Sequence, residues 1–152
     1  MFWYPLTGAP AFHSALKAAL QLEHVLVALP LGAGAFSADG TVGDAAGLMR
    51  AAEDVAVRSI AVCGGSGATV LAGAPADVLV TGEMGHHEVL AAVAAGSAVV
   101  LTNHSNCERG WLPQLRERLL REWEGPGGGK EMTGTDLDIC VSLVDADPLL
   151  CV

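Results

Sequence analysis

The chain has 152 residues, of which 51% are hydrophobic and 16% charged, and its formal net charge is −9. A chain of this length corresponds to about one domain, and its apolar content excludes an intrinsically disordered protein. Because nucleic-acid binding rests on clusters of lysine and arginine, the acidic balance argues against direct contact with DNA or RNA.

The cysteines and the apolar segments bear on the compartment. The four cysteines form no CxxC pair, which favours a reducing intracellular environment and disfavours zinc knuckles. The sequence shows no secretory signal pattern and no uninterrupted apolar run of about 18 residues. We therefore expect a cytoplasmic protein that contacts no membrane, with the nucleus or a mitochondrion as alternatives.

Hydrophobic patterning predicts strands and helices that alternate along the chain. The predicted strands are the apolar runs at 25–29, 59–63, 77–81, 97–102 and, after a glycine-rich linker at 124–134, an alternating run at 137–144. The predicted helices lie between them, at 12–22, 44–55, 69–71, 86–95 and 112–123. In the helix at 86–95 we expect Val89, Leu90 and Val93 to face inward. This order predicts an α/β domain with a mixed, largely parallel sheet and flanking helices.

The second predicted strand is followed by Gly64-Gly65-Ser66-Gly67. This segment is not a P-loop, because no Gly-Lys-Ser/Thr sequence follows it. Two interpretations are open: a tight turn, or a turn whose backbone amides face an anion.

Glu83, His86 and His87 follow the third predicted strand. Glu83 and His87 are candidate catalytic residues for proton transfer, and Glu83 is alternatively a partner that orients a metal ligand. Adjacent helical residues point about 100° apart, so the two histidines cannot both face one ion from a regular helix. A purely structural role for this group is an equal alternative.

His104 and Glu108 follow the fourth predicted strand and are candidate metal ligands. Imidazole nitrogen and carboxylate oxygen both bind metal ions, and a spacing of four residues lets them converge. Alternatively, Ser105 and Glu108 form a capping box at the start of a helix. Arg109 either binds an anionic substrate or forms a surface salt bridge. Both motifs directly follow apolar runs, so we predict that His104, Glu108 and Glu83 share one cleft.

Four segments together resemble the NIF-three-like family, that is, NGG-one-interacting factor three, often labelled GTP cyclohydrolase I type 2 homologue. They are AVCGGSGA at 61–68, ADVLVTGEMGHH at 76–87, HSNCERG at 104–110 and DADPL at 145–149. The resemblance covers 23–152 as a C-terminal α/β domain, with a poorly matching insertion at about 36–57. Residues 1–22 are interpreted as a tail and a short helix, and we expect 32–57 to be the least well-defined segment.

The resemblance implies two α/β lobes around a cleft that holds a pair of divalent metal ions, and assembly into homo-oligomers. It assigns His104 and Glu108 as metal ligands. It also places the remaining ligands, a His-His-Pro motif and an aspartate, in an N-terminal lobe that nothing before Glu23 resembles. We therefore expect a partial family member that is inactive alone.

Two functions follow from this resemblance. The first is a metal-dependent hydrolase of the cyclohydrolase or phosphoester type. The alternative is a non-enzymatic regulatory or adaptor protein with a protein partner in transcription regulation. A structural half-domain without independent function is the remaining alternative.

Overall fold

The computed structural model describes residues 9–30 and 57–149. Its helices and strands, in chain order, are α1 (Ala9–Leu20), β1 (Leu26–Ala28), β2 (Ile60–Ser66), α2 (Ala68–Leu71), β3 (Val78–Glu83), α3 (His86–Ala94), β4 (Ala98–Leu101), α4 (Asn106–Arg109), α5 (Leu112–Glu124) and α6 (Gly129–Thr133). The helix predicted at 44–55 lies outside these residues, as does nearly all of the insertion at 36–57 and of the segment 32–57.

The four strands form one sheet in the order β1-β4-β3-β2. Strands β2, β3 and β4 are parallel, whereas β1 runs antiparallel to β4. The helices α2 and α3 connect the parallel strands in turn. The expectation of an α/β fold with a mixed, largely parallel sheet and flanking helices is confirmed.

The core forms on both faces of the two central strands, because successive side chains of a strand point to opposite faces. On one face, Val78 and Val80 of β3 pack with residues of β4 beneath Phe12 and Leu16 of α1. On the other face, Leu79 packs with a second buried set: Leu71, Val93 and Val99. The continuous apolar runs of β3 and β4 thus reflect burial on both faces, as in other parallel sheets.

The segment at 137–144, predicted as a last strand, is not a strand. The segment instead runs beside α5, where the Arg116 side chain donates a hydrogen bond to the Ile139 carbonyl. Just before the segment, Trp123 Nε1 of α5 donates to the Thr135 carbonyl at 3.2 Å. Alternating apolar and polar residues match the side-chain spacing of a strand, but a strand forms only beside a neighbouring strand with free backbone hydrogen-bonding groups. Among the described residues, no helix is long and apolar enough to cross a bilayer.

Three further predictions need correction. The predicted linker at 124–134 contains the short helix α6. Leu90 of α3 is 49% exposed and does not face inward, whereas Val93 is buried. The predicted turn at Gly64 largely belongs to β2, which continues to Ser66 through an irregularity in its pairing with β3. The glycines allow this irregularity because they tolerate a positive φ, and Gly65 has φ of +66°.

Asp77 joins the beginnings of β2 and β3. Its Oδ2 accepts hydrogen bonds from the Arg58 N–H at 2.8 Å, the Ser59 N–H at 2.9 Å and the Ser59 hydroxyl at 3.0 Å. The bond from the Arg58 N–H lowers the pKa of Asp77. These contacts stabilise the parallel pairing at the edge opposite the candidate site.

We expect Asp77→Ala to lower the free energy of unfolding by about 2 kcal/mol at neutral pH, because backbone donors lose a charged acceptor. A lowered pKa in the folded state stabilises the domain above the ordinary carboxyl pKa, and this contribution disappears as pH falls through the lowered value. Urea unfolding at neutral and acidic pH measures it. Asp138→Ala, which removes an exposed carboxylate, is the control. Equal unfolding free energies of the two variants at neutral pH would contradict this role for Asp77.

Candidate functional site

The site lies at the edge of the sheet where the parallel strands β2, β3 and β4 end. Glu83 is the last residue of β3, and His104 lies three residues beyond the end of β4. Glu108 lies on α4, which packs against β2 and β3. Ligands of open α/β sheets bind at this edge, because the loops that follow parallel strands meet there.

The three predicted side chains meet around the imidazole of His104. Glu83 Oε1 lies 2.9 Å from His104 Nδ1, and Glu108 Oε1 lies 3.7 Å from His104 Nε2. The side chains of His104, Glu83 and Glu108 are 48%, 55% and 52% exposed, so solutes reach all three. The structure therefore brings Glu83, His104 and Glu108 to one site.

The hydrogen bond to Glu83 determines which ring nitrogen of His104 is available. A carboxylate accepts the proton of Nδ1–H, which leaves the lone pair of Nε2 free in the neutral ring. The same hydrogen bond raises the pKa of His104, and the nearby negative charges of Glu83, Glu108 and Asp147 act in the same direction.

Gly65 of β2 has no side chain, and the space beside it is faced by His104 Nε2 and Glu108 Oε1. A Cβ atom at this position would lie 2.7 Å from Glu108 Oε1 and 3.1 Å from His104 Nε2. The positive φ of +66° also disfavours any side chain there. Gly65 N–H additionally donates a hydrogen bond to Cys107 Sγ at 3.0 Å, which ties β2 to α4.

Gly82 allows the backbones of the neighbouring segments to approach β3. A Cβ atom on Gly82 would lie 2.7 Å from the Gly65 carbonyl oxygen and 2.8 Å from His104 Cα. Asn103, directly before His104, has φ of +69°, a conformation that asparagine tolerates better than most residues. These roles were not predicted from the sequence, although the glycine in the region of the third predicted strand, Gly82, is typical of a close backbone approach.

Contacts distinguish between the alternatives for Ser105 and Arg109. Ser105 makes no side-chain cap, so the capping box with Glu108 does not form. Arg109 forms a salt bridge with Asp145 at 2.9 Å, which is the second of its two interpretations. Within the described residues, His87 makes a ring contact with His86 at 5.6 Å and none with His104.

His104 and Glu108 are side chains of the types that bind divalent metal ions. His104 Nε2 and Glu108 Oε1 flank the space beside Gly65, and Glu83 holds the opposite ring nitrogen, an arrangement typical of metal-binding histidines. In residues 9–30 and 57–149, no group of three or more His, Cys, Asp or Glu side chains is arranged to hold a metal ion. Metal centres commonly use three or four protein donors, and His104 and Glu108 are two side chains of suitable chemistry.

Fold and site together define an α/β protein with a histidine flanked by two carboxylates at the carboxyl edge of its parallel strands. The family model Duf34/NIF3 (NGG1p interacting factor 3) matches residues 35–137. The chain belongs to this family. It is 37% identical over 134 residues to NIF3-like protein 1 of Bos taurus, covering 88% of this chain and 28% of that protein.

Two further relatives are yeast proteins. The protein NIF3 homolog of Schizosaccharomyces pombe is 40% identical over 96 residues, which cover 63% of this chain and 32% of that protein. NGG1-interacting factor 3 of Saccharomyces cerevisiae is 40% identical over 95 residues, which cover 61% of this chain and 29% of that protein. The chain thus spans about a third or less of the length of these relatives.

Solved structures show the same fold. The hypothetical protein SA1388 of Staphylococcus aureus superposes with a TM-score of 0.63 at 20% identity, covering 95% of this chain and 39% of that one. A Bacillus cereus protein related to NIF3 superposes with a TM-score of 0.58 at 22% identity, covering 95% of this chain and 32% of that one.

Proposed function

We propose that this chain contributes His104 and Glu108 to a divalent-metal centre of a hydrolase of the cyclohydrolase or phosphoester type. The observation that carries the proposal is the placement of His104 Nε2 and Glu108 Oε1 3.7 Å apart beside Gly65, with Nδ1 held by Glu83. A separation of this size suits two donors to one ion. When bound, the metal supplies Lewis acidity for attack by water.

Glu83 has two roles in this proposal. Its Oε1 accepts the Nδ1 proton of His104, which keeps the ring oriented and its Nε2 free to donate. Its second carboxylate oxygen can accept or release a proton during hydrolysis. His87, at the start of α3, is the second proposed proton carrier, and its exposed position suits exchange with solvent.

Further donors and a complete cleft are proposed to come from another lobe or another copy of the chain. Two protein donors hold an ion weakly, because water fills the remaining positions and exchanges readily. We therefore propose a homo-oligomeric assembly. Residues 1–152 alone are expected to bind divalent metal weakly and to hydrolyse nucleotides little or not at all.

We expect the double variant His104→Ala/Glu108→Ala to lose the weak binding of Zn²⁺ while the free energy of unfolding changes by less than about 1 kcal/mol, since both side chains are half exposed. Isothermal titration with Zn²⁺ and urea unfolding measure the two quantities. The control His13→Ala/Glu117→Ala removes the same residue types from α1 and α5, outside the cluster. Unchanged Zn²⁺ binding in the first variant, or metal-dependent turnover by residues 1–152 that it abolishes, would contradict the proposal of a weak half-site.

The second candidate function is that of an adaptor with a protein partner in transcription regulation, in the cytoplasm or the nucleus. It is favoured by the name of the Saccharomyces cerevisiae relative, NGG1-interacting factor 3. The double variant separates the two functions. An adaptor would keep its partner after loss of His104 and Glu108, whereas a contribution to a metal centre would be lost together with Zn²⁺ binding.

A further inference from the structure

The segment that contains Asp145 and Asp147 returns to the candidate metal centre from far along the chain. Asp147 Oδ2 accepts a hydrogen bond from the Ser105 N–H at 3.1 Å, and Asp147 Oδ1 accepts one from the Leu149 N–H at 3.0 Å. One carboxylate thus joins the C-terminal segment to the residue that follows His104. The sequence separation of Ser105 and Asp147 is 42 residues.

Asp145 holds the opposite end of the same short helix. Its Oδ2 accepts hydrogen bonds from Arg109 Nε at 3.0 Å and from Arg109 Nη2 at 2.9 Å. Arg109 is the last residue of α4, and Ser105 directly precedes the first. The two aspartates therefore flank the four-residue helix that carries Glu108, one at each end.

A helix of four residues cannot hold its own conformation. Isolated helices shorter than about 12 residues are marginal in water, because nucleation is costly. The helix α4 has no side-chain cap and no buried residue. Its orientation therefore depends on contacts from outside. These include its packing on β2 and β3, the Gly65 N–H bond to Cys107, the Asn106 bond to the Thr102 carbonyl and the bonds to the two aspartates.

We propose that Asp145 and Asp147 are positioning residues for the metal centre: they clamp α4 so that Glu108 stays opposite His104 Nε2. The inference rests on the proposed metal-binding function and adds two residues to it. Outer partners that orient ligands typically change metal affinity by about 10- to 100-fold when removed. Here Asp147 accepts from the Ser105 backbone and Asp145 from the Arg109 side chain, so both act on the helix that carries Glu108.

The test uses the full chain, with Zn²⁺ alone as the probe and ¹H–¹⁵N NMR as the readout. Asp147→Ala removes both acceptors, whereas Asp147→Asn retains one oxygen for the Ser105 N–H. Asp145→Asn weakens the bond to Arg109. Asp136→Asn is the matched control, because Asp136 lies in the same C-terminal stretch and pairs with Lys130 at 2.7 Å, outside the cluster.

We expect Asp147→Ala to weaken Zn²⁺ binding about tenfold, and Asp147→Asn to stay within about threefold of the parent. In the metal-free protein, Asp147→Ala should shift the amide resonances of Ser105 and Glu108 and speed Ser105 exchange about tenfold. Rescue by asparagine distinguishes positioning from a general loss of stability. The control Asp136→Asn should change neither the Zn²⁺ affinity nor the amide resonances and exchange of Ser105 and Glu108.

Two results would overturn the clamp. One is parent-like Zn²⁺ affinity in Asp147→Ala and Asp145→Asn. The other is an unchanged Ser105 and Glu108 environment in both metal-free variants. If the parent chain shows no Zn²⁺-dependent shifts, the proposed metal function fails, and the metal-free resonances still decide whether the clamp exists. If Asp147→Ala does not fold, Asp145→Asn and Asp147→Asn decide both questions.

Discussion

Gly82→Ala is expected to destabilise the domain by about 3 kcal/mol. The new Cβ would lie within 2.9 Å of three backbone atoms: the Gly65 oxygen, His104 Cα and the Asn103 oxygen. Backbone in a packed sheet edge cannot move aside as a flexible side chain can, so the strands must separate.

Urea unfolding of Gly82→Ala and Gly64→Ala measures this effect. Gly64 is the matched control, because a Cβ there would meet only Glu108 Cγ at 3.7 Å, an ordinary contact distance. We expect Gly64→Ala to stay within about 1 kcal/mol of the parent. Similar stabilities of the two variants would mean that the close approach of β3 to the His104 segment is wrong.

Gly65→Ala is expected to abolish measurable Zn²⁺ binding while the domain stays folded. The added Cβ would displace Glu108 Oε1, 2.7 Å away, and His104 Nε2, 3.1 Å away, from the space they face. Because these are the ends of side chains, they can turn outward, so the main loss is in metal affinity. The left-handed conformation at φ of +66° adds about 1 kcal/mol of destabilisation.

Gly73→Ala measures the effect of the positive φ alone, without a clash at the candidate site. Gly73 has φ of +71°, and a Cβ there would meet nothing within 4 Å. Both variants should lose similar stability in urea, and only Gly65→Ala should lose Zn²⁺ binding in a calorimetric titration. Parent-like binding by Gly65→Ala would contradict the placement of the metal beside Gly65.

The parallel core could be predicted from sequence because its signal is local. Strands buried on both faces read as continuous apolar runs, and β3 and β4 do so from Val78 and Ala98 onward. The segment at 137–144 has a strand-like pattern, but whether a strand forms depends on a neighbour elsewhere in the chain. The exposure of Leu90 likewise depends on which part of α3 the sheet covers.

Part of the candidate site could likewise be predicted from the sequence, and part could not. The convergence of His104, Glu108 and Glu83 could be predicted, since each lies at or beyond the end of a strand and the strands are parallel. The hydrogen bond from His104 Nδ1 to Glu83 could not, because spacing does not specify which ring nitrogen faces which carboxylate. The clamp by Asp145 and Asp147 joins residues about 40 positions apart, and no short pattern indicates such a contact.

We propose that His104 binds a divalent ion through Nε2 while Nδ1 donates to Glu83. Long-range ¹H–¹⁵N NMR of the histidine rings, recorded during a Zn²⁺ titration of the full chain, tests it directly. We expect the His104 Nε2 resonance to move to a metal-bound position while Nδ1 stays protonated, and the Glu83→Gln variant to weaken this change. A His104 ring that does not respond to Zn²⁺, or one that binds it through Nδ1, would contradict the claim.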